Sequence, residues 1–431
     1  MASGVRSITL SLGLGAFLVL NGAFAADPAG STGKLVRLRF SDPAQLEALN
    51  TSGQYEVVEV KGDRAIAIQH PAPTAGKLAA VLAKRVSLAE AGVAGLETVL
   101  ENVDDQLAQF RAQGNVGKYH TYASALAELA DLCSNYPNLL KSESIGKSYE
   151  GRDLMAVRLT GSAGLEAEKP KVLIFGLMHA REWISAELPF YLLRYLLTNY
   201  GKDPEATKIV DNLSIYILPV SNPDGLEYSQ TQFKMWRKNR SPQDGGTGVD
   251  VNRNFTVGFG AGSSDYVDSD VYHGKAPNSE LETRAFCSLF EREKFIASLS
   301  FHSYSELVLY SWGKDTSLPP DAVELTKRGK AMADLNGYTP GQVARILYTA
   351  GGATDDTFYQ TYGAWAFTFE LGTEFVPADK KIEPICKQNL PAVLLFLKTA
   401  IDSARPTTGI ARQDRPKISN FFSLYDIYPL K

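Results

Sequence analysis

Short runs of alternating apolar and polar residues dominate the chain shortly after residue 30. The segments KLVRLRF (34–40) and YEVVEVKGDRAIAIQH (55–70) have the two-residue period of β-strands, and DPAQLEALN (42–50) between them resembles a helix. A helical stretch is expected from about residue 77 to residue 110. This part of the chain is therefore predicted to be a small α+β unit.

From Tyr119 onward, strand-like and helix-like segments alternate. Apolar runs such as KVLIFGLMH (171–179), LSIYILPVSNPDG (213–225), ASLSFHSY (297–304) and AFTFEL (366–371) each lead into a loop or turn. The alternation favours an α/β domain with some parallel sheet. Because sites in such sheets form at the carboxyl ends of the strands, the polar residues that follow these runs are the first candidates for chemistry.

The first 25 residues have the pattern of a secretory signal peptide. Arg6 precedes an apolar run (8–20) that is too short to span a bilayer, and the small residues Ala23 and Ala25 of AFA (23–25) suit a signal peptidase. The sequence therefore predicts an exported protein, extracellular or periplasmic, with no membrane span in its mature form.

A polar, glycine-containing link, RAQGNVGKYH (111–120), separates the two regions. Arg111 and Lys118 within it are suited to cleavage by a trypsin-like protease. We predict a signal peptide at 1–25, a pro-segment at 26–118 that proteolysis releases, a catalytic domain at 119–405 and an irregular tail at 406–431.

Charge and cysteine content exclude some classes of function. The 44 basic and 48 acidic residues leave a formal net charge of −4, and the basic residues are scattered singly, so no continuous positive surface for nucleic acid is expected. With three cysteines the chain can form at most one internal disulfide, which excludes a disulfide scaffold.

The segment HARE (179–182) is the first candidate for metal chemistry, because zinc accepts imidazole nitrogen and carboxylate oxygen and hydrolytic sites use three protein ligands. The residues alone leave the third ligand open. His302 at the end of an apolar run is favoured over His273 in the loop VYHGKAP. A local contact between His179 and Glu182 without a metal also fits the spacing.

Several ordered motifs make the chain, from about residue 119 to residue 404, resemble the zinc carboxypeptidases typified by the pancreatic A and B enzymes. The preceding unit is similar, more loosely, to their activation segment. The motifs are HARE (179–182), NPDGLEYS (222–229), WRKNR (236–240), GVDVNRNF (248–255), YHGKAPNSE (272–280), HSYS (302–305) and FTFEL (367–371).

The resemblance implies an α/β fold with a mixed parallel and antiparallel central sheet flanked by helices, preceded by a small α+β pro-domain. It also implies one Zn²⁺ per chain, held by His179, Glu182 and His302. Glu370 would be the general base and proton shuttle, and Arg237 would polarise the scissile carbonyl.

The same resemblance implies a site for the C-termini of peptides or proteins, from which single residues are removed. Asn252 and Arg253 would grip the terminal carboxylate, since a guanidinium meets a carboxylate with two hydrogen bonds. Further substrate contacts are implied for Arg181, Tyr304 and Tyr348, the last as a side chain that closes over the C-terminus. The Ser303–Tyr304 peptide is expected to be cis.

Specificity depends on the segment between Tyr348 and Glu370, whose length agrees with the pancreatic enzymes. That register puts Asp355 at the floor of the pocket, which would favour C-terminal Lys or Arg. Two observations leave alternatives open: Asp355 and Asp356 could form a turn beside GG (351–352), and Val343 could narrow the pocket. The alternatives are broad or apolar specificity, action on cell-wall peptides, or a non-catalytic peptide-binding relative.

Overall fold

The computed structural model describes residues 33–52, 54–61, 63–70, 95–161 and 169–403. The predicted signal peptide (1–25) and tail (406–431) lie outside these residues, as does the part of the expected helix between residues 77 and 94. Among the described residues, no helix is both long and apolar enough to cross a membrane.

The first described unit is a small antiparallel sheet with one connecting helix. Its strands are β1 (Lys34–Arg39), β2 (Tyr55–Lys61), β3 (Arg64–Gln69) and β4 (Gly95–Leu100), in the order β2-β3-β1-β4, and helix α1 (Pro43–Thr51) joins β1 to β2. Val36 and Leu38 are buried, whereas the residues beside them are more exposed. This pattern of one buried face confirms the predicted α+β unit.

The helix expected up to residue 110 is wrong over residues 95–100, which form β4. The segment GLETVL contains the β-branched residues Thr98 and Val99, and it pairs along the edge of β1 that β3 leaves open. Tertiary pairing therefore overrides the helical pattern here. A 3₁₀ turn (Val103–Leu107) and helix α2 (Ala108–Gln113) follow.

A large mixed sheet forms the centre of the second region. Among the described residues, eight strands are paired in the order β13-β12-β14-β11-β7-β8-β6-β5, and a two-stranded hairpin is formed by β9 and β10. The strands are β5 (Leu140–Lys147), β6 (Asp153–Leu159), β7 (Lys171–Phe175), β8 (Ser214–Leu218), β9 (Pro242–Gln243), β10 (Gly246–Thr247), β11 (Ala297–His302), β12 (Leu307–Tyr310), β13 (Thr339–Gln342) and β14 (Trp365–Glu370).

The four central strands, β8, β7, β11 and β14, are parallel; β6 and β12 join them antiparallel on either side, and β13 pairs parallel with β12. All residues of β8 and β11 are buried, as expected for parallel strands covered on both faces. His302 and Glu370 are the last residues of β11 and β14 and are register partners. The parallel pairing therefore brings their side chains to one edge of the sheet.

Helices flank this sheet. They are α3 (Tyr122–Asn135), α4 (Ile184–Asn199), α5 (Pro204–Asn212), α6 (Pro223–Gln232), α7 (Leu281–Glu293), α8 (Ala322–Asn336), α9 (Val343–Ile346), α10 (Thr354–Tyr362) and α11 (Asp379–Ser403). The predicted α/β class with a mixed central sheet is confirmed. The Ser303–Tyr304 peptide is cis, as expected.

The link between the two regions is exposed on one side and anchored on the other. Arg111 and Lys118 are exposed, but Tyr119 is buried against Phe110, and its hydroxyl donates to a carbonyl in the loop before α11. The next residue, His120, contacts two carboxylates, and although burial opposes its charged form, these carboxylates raise its pKa to about 9. Tyr119 and His120 therefore fix the start of the second region.

Candidate active site

His179, Glu182 and His302 meet at the carboxyl ends of two parallel strands. His179 lies in the turn after β7, where the Glu182 N–H donates to the His179 carbonyl at 3.1 Å and thus brings both side chains to one side. His302 ends β11, which pairs with β7. All three residues are buried.

The ligand atoms of these three residues converge. His179 Nδ1 lies 2.8 Å from Glu182 Oε1, His302 Nδ1 lies 2.9 Å from Glu182 Oε2, and the two Nδ1 atoms are 3.0 Å apart. Hydrogen bonds alone do not satisfy this arrangement, because two neutral imidazoles cannot bond both to each other and to the carboxylate through the same Nδ1 atoms. One cation shared by the three side chains satisfies all of them. Two nitrogens and a carboxylate are a donor set that zinc prefers, so the residues fit this metal.

Asp250 supports this cluster from behind. One of its oxygens lies 3.2 Å from His179 Nε2, and a proton on that nitrogen would leave Nδ1 free to face Glu182 and His302. His273, the other histidine that the sequence left open, contacts Ser263 Oγ at 3.0 Å and lies outside the group of three. The structure therefore brings His302, and not His273, to His179.

Glu370 lies beside the cluster, on the cavity that the three residues also line. Although its side chain keeps some exposed surface, burial and then the charge of Glu182 raise its pKa well above the usual carboxyl range, while Arg237 and Arg253 act in the opposite direction. A carboxyl group with a raised pKa is suited to accept a proton and later return it.

Arg237 is held in a fixed position in the same cavity. Its Nε and Nη2 atoms donate to Asp250 Oδ2 at 3.0 and 2.9 Å, and its Nη1 atom is 3.8 Å from Glu182 Oε1. Burial opposes its charge, but Asp250 and then Glu56 outweigh burial and raise the pKa of Arg237. The guanidinium is thus a permanent cation next to the converging ligand atoms.

Asn252, Arg253 and Tyr348 line another wall of the cavity. The first two belong to a 3₁₀ turn that Asp250 caps by accepting the Asn252 N–H at 2.9 Å. Asn252 Oδ1 in turn accepts the backbone N–H of Thr354 at 3.0 Å, and the Arg253 guanidinium is 6.0 Å from the centre of the Tyr348 ring. A cation and an amide therefore face the cavity from one rigid turn.

Asp355 lines the cavity, and the neighbouring Asp356 does not. Both oxygens of Asp355 accept the Thr368 hydroxyl, at 3.0 and 2.9 Å, and burial, with a smaller effect of Asp356, raises its pKa to about 7. Asp356 instead accepts the backbone N–H groups of Gly313 and Lys314. The alternative of a local turn is therefore wrong for both residues, because they lie in the first turn of helix α10 and the partners of Asp356 are far away in the chain.

Comparisons with known proteins agree with this geometry. A family model described as zinc carboxypeptidase matches residues 125–392. The chain belongs to the zinc carboxypeptidase family. It is 34% identical over 291 residues to carboxypeptidase A4 of Mus musculus (64% of this chain, 69% of that protein) and 28% identical over 396 residues to carboxypeptidase A1 of Homo sapiens (86% and 94%).

Solved structures extend the likeness to the N-terminal unit. Thrombin-activatable fibrinolysis inhibitor is 25% identical with a TM-score of 0.71, over 86% of this chain and 100% of that one. Carboxypeptidase A from Helicoverpa armigera shares the fold with a TM-score of 0.75 at 24% identity, over 88% and 100%. The family model and the curated relatives show that this zinc carboxypeptidase is a zinc-dependent exopeptidase, so the non-catalytic alternative is wrong.

Of the two remaining predicted substrate contacts, Arg181 lines the cavity of this zinc carboxypeptidase and Tyr304 does not. Arg181 is fully buried, lines the cavity and donates to Asp270 Oδ2 at 2.9 Å, with its guanidinium 4.4 Å from the centre of the Phe375 ring. Tyr304 also packs edge-on against Phe375 but is not among the residues that line the cavity. Its neighbour Ser303 does line the cavity.

Sequence reasoning missed two acidic residues of this site. Asp250 is inside the motif GVDVNRNF, but nothing in its spacing shows that it contacts both His179 and Arg237. Glu56 comes from β2 of the N-terminal unit, is 1% exposed, and forms ion pairs with Arg181 and, at 3.2 Å, with Arg237. In the sequence it is one polar position of an ordinary alternating strand.

Proposed function

We propose that His179, Glu182 and His302 hold the zinc of this exopeptidase and that Glu370 is its general base. The observation that supports this most directly is the convergence of the three buried ligand groups beside a carboxyl group with a raised pKa. When bound, zinc supplies a Lewis acid that lowers the pKa of water and polarises a carbonyl. Glu370 takes a proton from the attacking water and delivers it to the leaving amine.

Arg237 stabilises the negative charge that develops on the scissile carbonyl oxygen. Its two hydrogen bonds to Asp250 hold the guanidinium in place before the substrate arrives, so little reorganisation is needed during the reaction. Asn252 and Arg253 bind the terminal carboxylate, which makes the enzyme act at chain ends. Tyr348, close to Arg253, covers the bound residue, and Arg181 contacts the peptide further from its end.

Secretion and a domain division into a signal peptide (1–25), a pro-segment (26–118), a catalytic domain (119–405) and a tail (406–431) are part of the proposal. They are supported by the signal-like pattern of the first 25 residues and by the exposed basic positions at 111 and 118. A trypsin-like protease would act at this link.

A preference for C-terminal Lys or Arg is supported by Asp355, a buried carboxyl on the cavity wall whose nearest partner is a neutral hydroxyl. An unpaired buried carboxylate is costly, and a cationic side chain would remove that cost. Apolar specificity is the second candidate, because the curated relatives reported above are A-type enzymes and Val343 lines the same cavity.

Replacing Glu370 with Gln tests the assignment of the base. We expect zinc content to stay at the wild-type level and kcat to fall by a factor of about 10² to 10⁴, since an amide cannot accept the proton. The matched control is Glu374→Gln, which alters an exposed glutamate paired with Lys381 and should leave kcat unchanged. A Glu370→Gln enzyme with near wild-type kcat would rule out this base, and full activity of metal-free wild type would rule out the zinc role.

The raised pKa of the Asp355 carboxyl leads us to predict that substrate specificity depends on pH. Because its pKa is about 7, it is neutral below that pH and charged above it, so selectivity for Arg over Leu should increase with pH. We expect the ratio of kcat/KM values for dipeptides ending in Arg and in Leu to rise about tenfold or more between about pH 6 and about pH 8.5.

The Leu substrate serves as the internal control in that measurement, since it reports every pH effect unrelated to Asp355. In the Asp355→Asn variant the ratio should be low and independent of pH. A wild-type ratio that favours Leu at both pH values would show that Asp355 does not select the substrate and would favour the apolar candidate.

Latency of the uncleaved chain is supported by the position of Glu56. Its carboxylate contacts Arg181 and Arg237, the same cations that would bind substrate, and Val57 and Val58 of the same strand also line the cavity. A substrate carbonyl could reach Arg237 only after this strand moves. The N-terminal unit is therefore proposed to inhibit the enzyme until cleavage in the link.

Loss of the Glu56 charge should weaken this inhibition. Breaking a buried ion pair costs about 3–5 kcal/mol, so the uncleaved Glu56→Gln protein should hydrolyse a small substrate at least several-fold faster than uncleaved wild type. After trypsin treatment the two should be equal. The control is Glu59→Gln on the same strand, where the glutamate pairs with Lys61 instead. Uncleaved wild type as active as the cleaved enzyme would contradict latency.

A further inference from the structure

A second cluster of metal-ligand groups lies where the N-terminal unit meets the catalytic region. Glu56, His70 and Asp270 each offer one ligand atom, and these atoms lie within 4.8 Å of one another. Glu56 faces Ile68 in the antiparallel pair of β2 and β3, and the His70 N–H donates to the Gln54 carbonyl at 2.7 Å, so Glu56 and His70 belong to the same face of the sheet.

Two buried polar atoms of this cluster have no hydrogen-bond partner among the described residues. They are Glu56 Oε2 and His70 Nε2. Glu56 itself is 1% exposed, and a polar atom left unpaired in the interior is destabilising. A cation between the two side chains would satisfy both atoms at once.

Arg181 does not fill this role, although it touches both carboxylates. It donates to Glu56 Oε1 and to Asp270 Oδ2, so one oxygen of each carboxylate is left for another partner. A carboxylate that binds a metal through one oxygen and accepts a hydrogen bond through the other is the usual arrangement around protein metal ions.

We propose that Glu56, His70 and Asp270 bind a second divalent cation of the zinc class, separate from the catalytic ion, which ties the N-terminal unit to the catalytic region. An imidazole nitrogen with two carboxylate oxygens matches the ligand preference of zinc, whereas calcium and magnesium take oxygen ligands. Three protein ligands leave one tetrahedral position for water.

Glu56 and His70 belong to the pro-segment that cleavage is proposed to release. Whether the ion is lost on activation therefore depends on the proposed function. Cleavage in the link followed by loss of the segment would leave only Asp270, which cannot hold the ion alone. The second ion should therefore be present in the intact chain and absent from the separated catalytic domain.

The test is the zinc content of the intact full chain after equilibrium dialysis against a low micromolar concentration of free zinc. We expect two ions per chain in wild type and one in His70→Gln and in Asp270→Asn. The matched control is Glu97→Gln, which changes an exposed glutamate of the same unit paired with Arg37, and it should bind two.

One ion per intact wild-type chain would overturn the proposal, and so would two ions in both the His70→Gln and Asp270→Asn proteins. The wild-type count decides the matter even if a variant fails to fold. It is also independent of latency, because an uncleaved chain that is fully active would refute inhibition by Glu56 without changing the number of ions bound.

Discussion

The site depends on one buried carboxylate, Asp250, which is shared by three parts of the cavity. It contacts His179 Nε2 at 3.2 Å, receives two hydrogen bonds from Arg237, and caps the turn that carries Asn252 by accepting its N–H at 2.9 Å. A buried charge is tolerated only when its partners are in place, so these contacts must form together. His179, Arg237 and the turn that carries Asn252, which have separate roles in the proposed mechanism, are thereby held in one fixed relation.

Arg237 and Arg181 also explain how the N-terminal unit reaches into the cavity, because both pair with Glu56. Arg237 is paired with Asp250 through Nη2, and its Nη1 atom is also paired with Glu56 of β2. Arg181 divides its contacts in the same way between Asp270 and Glu56. Glu56 is thus a second partner for each arginine, in addition to Asp250 and Asp270. If Glu56 left the site, both arginines would keep one carboxylate partner and their remaining N–H groups could bind substrate.

Most of the catalytic arrangement could be predicted from sequence because its residues follow apolar strands in recognisable motifs. Parallel pairing of β7, β11 and β14 brings HARE, HSYS and FTFEL to one edge, as the strand-end argument implies. The choice between His302 and His273 needed the family resemblance and then the structure, since both histidines follow apolar residues. The position of Asp355 on the cavity could be predicted from its spacing to Tyr348 and Glu370, but its contact with Thr368 could not.

The contribution of the N-terminal unit could not be predicted. Glu56 alternates with apolar residues like any solvent-facing strand position, and only the packing of β2 against the catalytic region buries it. The strand at 95–100 was predicted as helix because its pattern says nothing of the open edge of β1. Both cases depend on contacts between segments far apart in the chain, which local periodicity does not report.

The central claim is that the cavity binds a free C-terminus through Arg253 and Asn252 and cleaves only the last bond. The most direct measurement is mass spectrometry of two peptides of identical sequence ending in Arg, one with a free C-terminal carboxylate and one with a C-terminal amide, after incubation with the cleaved enzyme. The account predicts loss of the terminal Arg from the free peptide and no change in the amide. Internal fragments from either peptide, or equal cleavage of both, would contradict it.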